Sequence, residues 1–369
     1  LAKAALAEAY PTMVLQRVTG LSIVGGRYVY VRGLGERYSS TQLNGATIGT
    51  PEPNKRVVPL DIFAAGLLDN VVVQKTYTPD QPGEFGGGVV NVSTRDFPGK
   101  RLWETSLSSG YSSRTTGKDY FTYDGGKRDF LGFDDGTRDL PSLISDLAAN
   151  SKVVLRGYVD SISGRPGFDR AEITEMGRAF NKTWTRRTTT GAPAYSFSGS
   201  YGNEVKVLDR ALGYLGSISY SNSARTTEGV RRRFVRTSDS LAAETDYVVK
   251  SSESSILWGA LGNASFRLND YNTLSLRTMY NRSADDQTRY YEGDNQDGGK
   301  PIHNERFQYV ERGLFAGSVA SNHFLGFLNG GSLDLRFSYS RANRSEPDRR
   351  EYTEEFEAER YSPIYNEDE

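Results

Sequence analysis

The 369-residue chain contains no cysteine. That excludes a disulfide framework and any thiolate metal site. Histidine is almost absent: with only His303 and His323, a multi-histidine metal centre lacks ligands. No apolar run approaches the roughly 18 residues of a membrane-crossing helix, and mean hydropathy is −0.57. Charge of one sign is missing too. Lys plus Arg number 45 and Asp plus Glu 46, a net charge of −1, whereas a nucleic-acid binder carries a basic excess. None of these absences speaks against a transmembrane β-barrel. Its strands alternate apolar-out and polar-in, so averaged hydropathy does not register them. The length suggests about two or three domains.

The first ten residues, Leu1 to Tyr10, form an Ala-rich stretch that reads as a helix stopped near Pro11. It is no secretory signal, because Glu8 breaks the apolar run and no basic segment precedes it. The other end, Tyr361 to Glu369, is a polar run without an apolar anchor.

Residues 1–98 differ from the rest. Ser22–Val24, Tyr28–Val31, Asn70–Val73 and Gly88–Thr94 are short β-branched or aromatic runs bounded by Gly or polar residues, the pattern of strands. Leu60–Leu68 predicts a short helix. Asn44-Gly45 is a hairpin-turn pair. Gly86-Gly87-Gly88 removes three side chains where a backbone approaches another wall closely. The whole reads as a small α+β domain ending in the linker Asp96–Lys100. Gly33-Leu34-Gly35 lacks the third Gly of a dinucleotide-binding turn.

From residue 102 the pattern becomes long alternation. In Leu333–Ser340, Leu333, Leu335, Phe337 and Tyr339 share one face, and Asp334, Arg336, Ser338 and Ser340 the other. Similar stretches are Leu274–Tyr280, Tyr195–Tyr201 and Leu212–Tyr220, with others near Trp103, Ile256 and Phe307. That gives seven candidate strands, each near the ~9–11 residues that cross a bilayer at a tilt. Short connections at 205–210, 269–272 and 329–331 alternate with long ones at 114–192, 225–252, 285–304 and beyond 345. Short turns on one side and long loops on the other form the pattern of an outer-membrane barrel. A soluble sandwich is the competing reading, and it would need a second sheet to cover the apolar face. Seven strands do not close a barrel, and an open edge in lipid leaves backbone groups unpaired. The expectation is therefore a piece of a longer protein.

Within the long connections, Ala171–Lys182 predicts a helix with Asp169 and Glu172 at its start. Arg225, Arg231, Arg232, Arg233 and Arg236 make a basic loop suited to phosphates or solvent. Asp294 and Glu305 are spaced like the ends of a calcium loop, but Gly298 occupies a ligand position. No nucleophile–base–acid constellation is found.

Five stretches in family order carry a resemblance. They are Leu15–Ile23, Val31–Gly35, Gln42–Gly45, Asn70–Lys75 and Gly83–Thr94. Placed directly before barrel-like strands, they resemble the plug domain of TonB-dependent outer-membrane receptors. The resemblance implies a mainly β fold: an α+β plug over 1–98, then over 99–369 the first part of an antiparallel transmembrane β-barrel. About seven of some 22 strands would be present. It implies a non-enzymatic bacterial outer-membrane receptor without cofactor or metal, importing a ferric siderophore or similar scarce ligand. Its partners would be TonB, gripping a segment ahead of residue 1, and outer-membrane lipid and lipopolysaccharide, with no nucleic acid. Outward plug loops would place Glu36, Arg37, Tyr38, Glu52, Asn54, Lys55 and Arg56 at the ligand. Arg32 and Lys75 would lock the plug to acidic groups of the wall, although the family more often has Arg-Gly-Pro where this chain has Lys75-Thr76-Tyr77. The alternatives are a passive porin or adhesin barrel and a TonB-dependent carbohydrate receptor.

Overall fold

The computed structural model describes residues 19–24, 27–34, 38–53, 55, 58–64, 67–79, 81, 86–96, 100–150, 170–180, 183–236, 240–269, 271–295, 298–325, 331–357 and 360–363. The leading part holds β1 (Leu21–Val24), β2 (Tyr28–Val31), β3 (Ser39–Leu43), β4 (Ala46–Thr47), β5 (Leu68–Gln74) and β6 (Gly88–Thr94). β1 and β2 pair antiparallel; the others form a sheet in the order β4-β3-β6-β5. Asn44 and Gly45 take φ of 53° and 79°, the left-handed pair that a tight hairpin requires. Asn44 also clasps β6, accepting from Thr94 N at 2.9 Å and donating to Thr94 Oγ1 at 3.0 Å.

Two details differ from the sequence reading. In place of a helix over Leu60–Leu68 there is a 3-10 turn at Leu60–Ile62, and Leu68 already belongs to β5. Leu60, Ile62, Phe63 and Leu67 are all buried, so this run is apolar because it is core on every side, without a helical stripe. The central strand β3 went unread because Ser39, Ser40, Thr41 and Gln42 carry no apolar alternation. The glycine triplet does allow close approach, within its own domain: a Cβ on Gly88 would lie 2.8 Å from Val31 Cγ1, and one on Gly87 2.9 Å from Leu34 Cδ1.

The second part contains β7 (Leu102–Gly110), β8 (Asp119–Thr122), α1 (Ser142–Asn150), α2 (Arg170–Ala179), β9 (Arg187–Thr190), β10 (Ala194–Val207), β11 (Arg210–Arg236), β12 (Leu241–Asn269), β13 (Asn272–Asn295), β14 (Lys300–Leu325), β15 (Gly331–Glu357) and β16 (Arg360–Pro363). One antiparallel sheet runs β16-β15-β14-β13-β12-β11-β10-β7. The seven expected strands are all in it, joined by the short β16. The protein is mainly β.

The strands outrun the expectation. β11, β12, β13, β14 and β15 hold 27, 29, 24, 26 and 27 residues. The stretches read as loops at 225–252, 285–304 and past 345 are largely ladder. Apolar alternation ends near their middles, but backbone pairing needs only extended residues, and cross-strand charge pairs sustain it. Arg232 Nε meets Asp246 at 2.9 Å, and Arg233 pairs with Glu244. The basic cluster thus lies on β11, not in a loop. Asp294 and Glu305 oppose Pro301 and Tyr290 at different levels of the β13–β14 ladder, so they are not the two ends of one loop. α2 ends at Ala179, short of Lys182; Asp169 lies outside the described residues.

The two faces of this sheet differ. On the outer face Trp103 is 73%, Leu107 82% and Phe337 72% exposed. On the other face Leu215, Leu257, Leu261, Met279, Leu314 and Ala316 join one core with Val29, Leu43, Ile48, Phe63 and Leu67 of the leading part. Contact is close at Gly259, where a Cβ would lie 2.7 Å from Leu67 Cδ1 and 3.2 Å from Ala64 Cβ. Gly259→Leu should overpack this seam and destabilise it by about 1–3 kcal/mol. The expected outcome is faster proteolysis of residues 19–96 in detergent; an unchanged rate would contradict the seam.

Candidate functional site

The seam between the leading part and the sheet is organised at two levels. At the upper level, Arg312 on β14 is held between the two bodies. Its Nε donates to Glu52 Oε1 at 2.7 Å, and its Nη1 to Asp285 Oδ2 at 2.6 Å. The same Asp285 oxygen lies 3.8 Å from Arg27 Nη2, and Arg27 Nε lies 3.2 Å from Asp61. Arg344 Nε stands 3.9 Å from Glu52. Three guanidiniums therefore face three carboxylates, and Arg344 also pairs with Glu346 at 2.7 Å. Burial works against the Arg27 charge, but Asp61 and Asp285 outweigh it and hold its pKa above the ordinary guanidinium value. Burial pushes the Asp61 carboxyl up, with Arg27 pulling the other way.

At the lower level the ties are single. Arg277 Nη2 donates to Asp96 Oδ2 at 2.9 Å, and Arg336 Nη1 to Asn44 O at 2.8 Å. Arg95 Nη1 reaches Ser200 Oγ at 3.2 Å and pairs with Glu104. Gly49 N donates to Ser340 Oγ at 3.3 Å.

Of the expected ligand residues, Tyr38 is exposed, and Gly86 and Gly87 pack against it. Lys55 places its ammonium 4.9 Å from the Tyr28 ring centroid. Glu52 is engaged with Arg312. Glu36, Arg37, Asn54 and Arg56 lie outside the described residues. Arg32 is exposed with φ of 56°, and Lys75 donates to Thr19 O. The structure does not bring Arg32 and Lys75 together with the upper tie. Sequence reading passed over Arg27, Asp61 and Arg312, and placed Asp285 in a loop. A charge on the face opposite the aromatics of an alternating strand was the available signal.

The outer face has its own geometry. Aromatic rings line the near-turn end of the apolar band: Trp103 meets Tyr201 at 6.0 Å and Tyr201 meets Tyr214 at 6.1 Å between centroids. A second row lies further along the strands, with Tyr195–Tyr220 at 6.0 Å, Trp258–Tyr280 at 5.2 Å and Phe315–Tyr339 at 6.3 Å. Tyr214 and Tyr220 sit six residues apart on β11, roughly 20 Å at a strand's rise. Ile218, Leu276, Val319 and Leu335 lie between the rows and are exposed. Beyond the second row the same face carries Ser252 and Arg282 beside Ile256, Phe307 and Tyr309, and described parts of the 114–192 excursion cover it. Phe121 N donates to Ser252 Oγ at 3.0 Å, and Arg282 Nε to Gly132 O at 2.6 Å. Arg138, with 1% of its side chain exposed, bonds Asp129 and Asp134 and lies 3.5 Å from Asp286.

No family model and no curated protein matches the chain. Solved structures do. The siderophore receptor PirA from Pseudomonas aeruginosa is 9% identical, with a TM-score of 0.29 over 97% of this chain and 55% of that one. The copper transporter OprC is 10% identical, TM-score 0.27, over 96% and 61%. The ferric enterobactin receptor PfeA is 9% identical, TM-score 0.27, over 93% and 55%. The chain thus spans 55–61% of the length of these three solved structures.

Replacing one partner of a buried ion pair strands the other, at about 3–5 kcal/mol. Arg312→Ala should therefore lower the urea concentration at which residues 19–96 become protease-sensitive. A cycle with Glu52→Ala should show coupling of about 0.5–3 kcal/mol. Additive effects would mean that the two residues do not tie the bodies together.

Proposed function

We propose that this chain supplies the plug, over residues 1–98, and the first wall strands, over 99–369, of an outer-membrane active-transport receptor. The observation that carries this reading is the division of labour between the faces of one sheet. One face leaves an apolar band open between two aromatic rows, as lipid requires. The other face is filled by a separate small domain. A passive channel has no use for a stopper held by matched charges, whereas a gated importer needs one that holds firmly yet can let go.

In this reading a scarce ligand, a ferric siderophore or similar compound, meets the plug loops. Tyr38 and Lys55 are contacts, along with Glu36, Arg37, Asn54 and Arg56. Glu52 belongs to one of those loops and also bonds Arg312, so ligand at the loop disturbs a tie to the wall. We assign the lock chiefly to the Arg27–Asp61–Asp285–Arg312–Glu52 chain, with Arg32 and Lys75 at its margin. TonB, acting on a segment ahead of residue 1, would deliver the energy that parts plug from wall. No covalent step is required. Outer-membrane lipid and lipopolysaccharide surround the wall. A carbohydrate ligand is the alternative within the same mechanism.

The lack of cysteine gives a clean test. A Cβ on Gly49 would stand 3.8 Å from Ala342 Cβ, the mean spacing in a disulfide. Gly49→Cys with Ala342→Cys in the whole protein should stop energy-dependent uptake of ferric siderophore and spare binding, with uptake restored by reductant. Gly110 and Ala194 give a control pair within the wall, at 3.5 Å. Full uptake with the first bridge closed would favour a passive porin or adhesin.

A further inference from the structure

The turn at Asp129–Leu131 rests on the outer face of the sheet where the open apolar band ends. Two aromatic residues of the upper row hold it by its backbone. Tyr220 donates its hydroxyl to Phe130 O at 2.7 Å, and Trp258 Nε1 donates to Leu131 O at 3.1 Å. Arg282 binds the next carbonyl, and its guanidinium lies 3.8 Å from the Phe133 ring centroid. From behind, Arg138 grips both oxygens of Asp129, at 2.7 and 2.6 Å. The turn is thus fastened at three successive carbonyls and at the Asp129 carboxylate.

Its side chains are nevertheless left uncovered. Phe130 is 59% and Leu131 42% exposed. Ile218, 54% exposed, lies two residues from Tyr220 on the same face of β11. The uncovered apolar surface of the turn therefore continues that of the band. Lys127 and Arg128, next in sequence, are exposed. An apolar pair shortly preceded by two cations, fixed at the end of an apolar band, is the arrangement of an interfacial anchor.

We propose that the Asp129–Leu131 turn is a membrane anchor: Phe130 and Leu131 enter the hydrocarbon of the outer leaflet, and Lys127 and Arg128 meet its headgroup phosphates. This rests on the outer-membrane reading above and specifies which part of the 114–192 excursion touches lipid. The excursion is then a collar seated on the bilayer, and the carbonyls of Phe130 and Leu131 replace the water that interfacial Tyr and Trp tips ordinarily bind.

Single cysteines test it in the whole protein, after any thiol outside this chain is removed. Phe130→Cys, Ile218→Cys and Lys118→Cys are each labelled with an environment-sensitive dye. The protein is then placed in phosphatidylcholine vesicles containing lipopolysaccharide and lipid-borne spin labels. Position 218 reports the band, and exposed Lys118 reports water. Positions 130 and 218 should both be quenched by lipid several-fold more than 118, with blue-shifted emission. If 130 behaves as 118 while 218 is quenched, the anchor is wrong and the outer-membrane reading stands. Shielding of 130 from both lipid and aqueous quenchers would mean that protein covers the turn, which also overturns the proposal. Water-like emission at 218 would remove the outer-membrane reading and the anchor with it.

Discussion

Successive side chains of a strand point to opposite sides, so each strand of the main sheet must satisfy two surroundings at once with every second residue. The architecture follows from that constraint. Along β11, Tyr214, Ile218 and Tyr220 share one face, while Leu215, Ser217 and Ser219 are buried on the other, toward the leading part. A slip of one residue would exchange the two sets and leave neither environment served. The register is therefore specified twice, by the outer band and by the core that the sheet shares with Phe63 and Leu67.

That shared core joins bodies that must also part if the proposed transport is correct. Apolar contact is broad but not directional, so it permits sliding. The charged ties supply direction. Arg312 takes one carboxylate from the leading part and one from the sheet, and neither can be withdrawn without leaving a buried charge short of a partner. Water entering the seam as the bodies separate would solvate all six charges together. The penalty for breaking one tie alone is thereby avoided when the whole set is released.

Strand positions were legible wherever one face met something apolar. Leu333, Leu335, Phe337 and Tyr339 announced β15, and all seven long strands were found by that signal. The signal failed where both faces are polar. The distal halves of β11–β15 lost their alternation though not their ladders, and β3 never had it. Near the candidate site, the Asn44-Gly45 turn could be read directly. The ties could not. Arg27, Asp61, Asp285 and Arg312 come from four separate stretches, and only the register of β13 against β14, with the leading part packed on that face, brings them within reach. Phe307 and Tyr309 show the converse limit: they look like lipid-facing residues, yet the 114–192 excursion buries them.

The distal ladders have a mechanical meaning. Between Arg282 and Asn295, β13 continues for fourteen residues past the upper aromatic row, on the order of 40 Å. β14 accompanies it throughout, bonded to its end. β12 and β15 pair alongside for nearly the same length, so the four strands bend as one plate. Asp285 and Arg312 sit at its base, where it leaves the band and meets the leading part. A load on the far edge is therefore spread across the plate before it reaches those two residues.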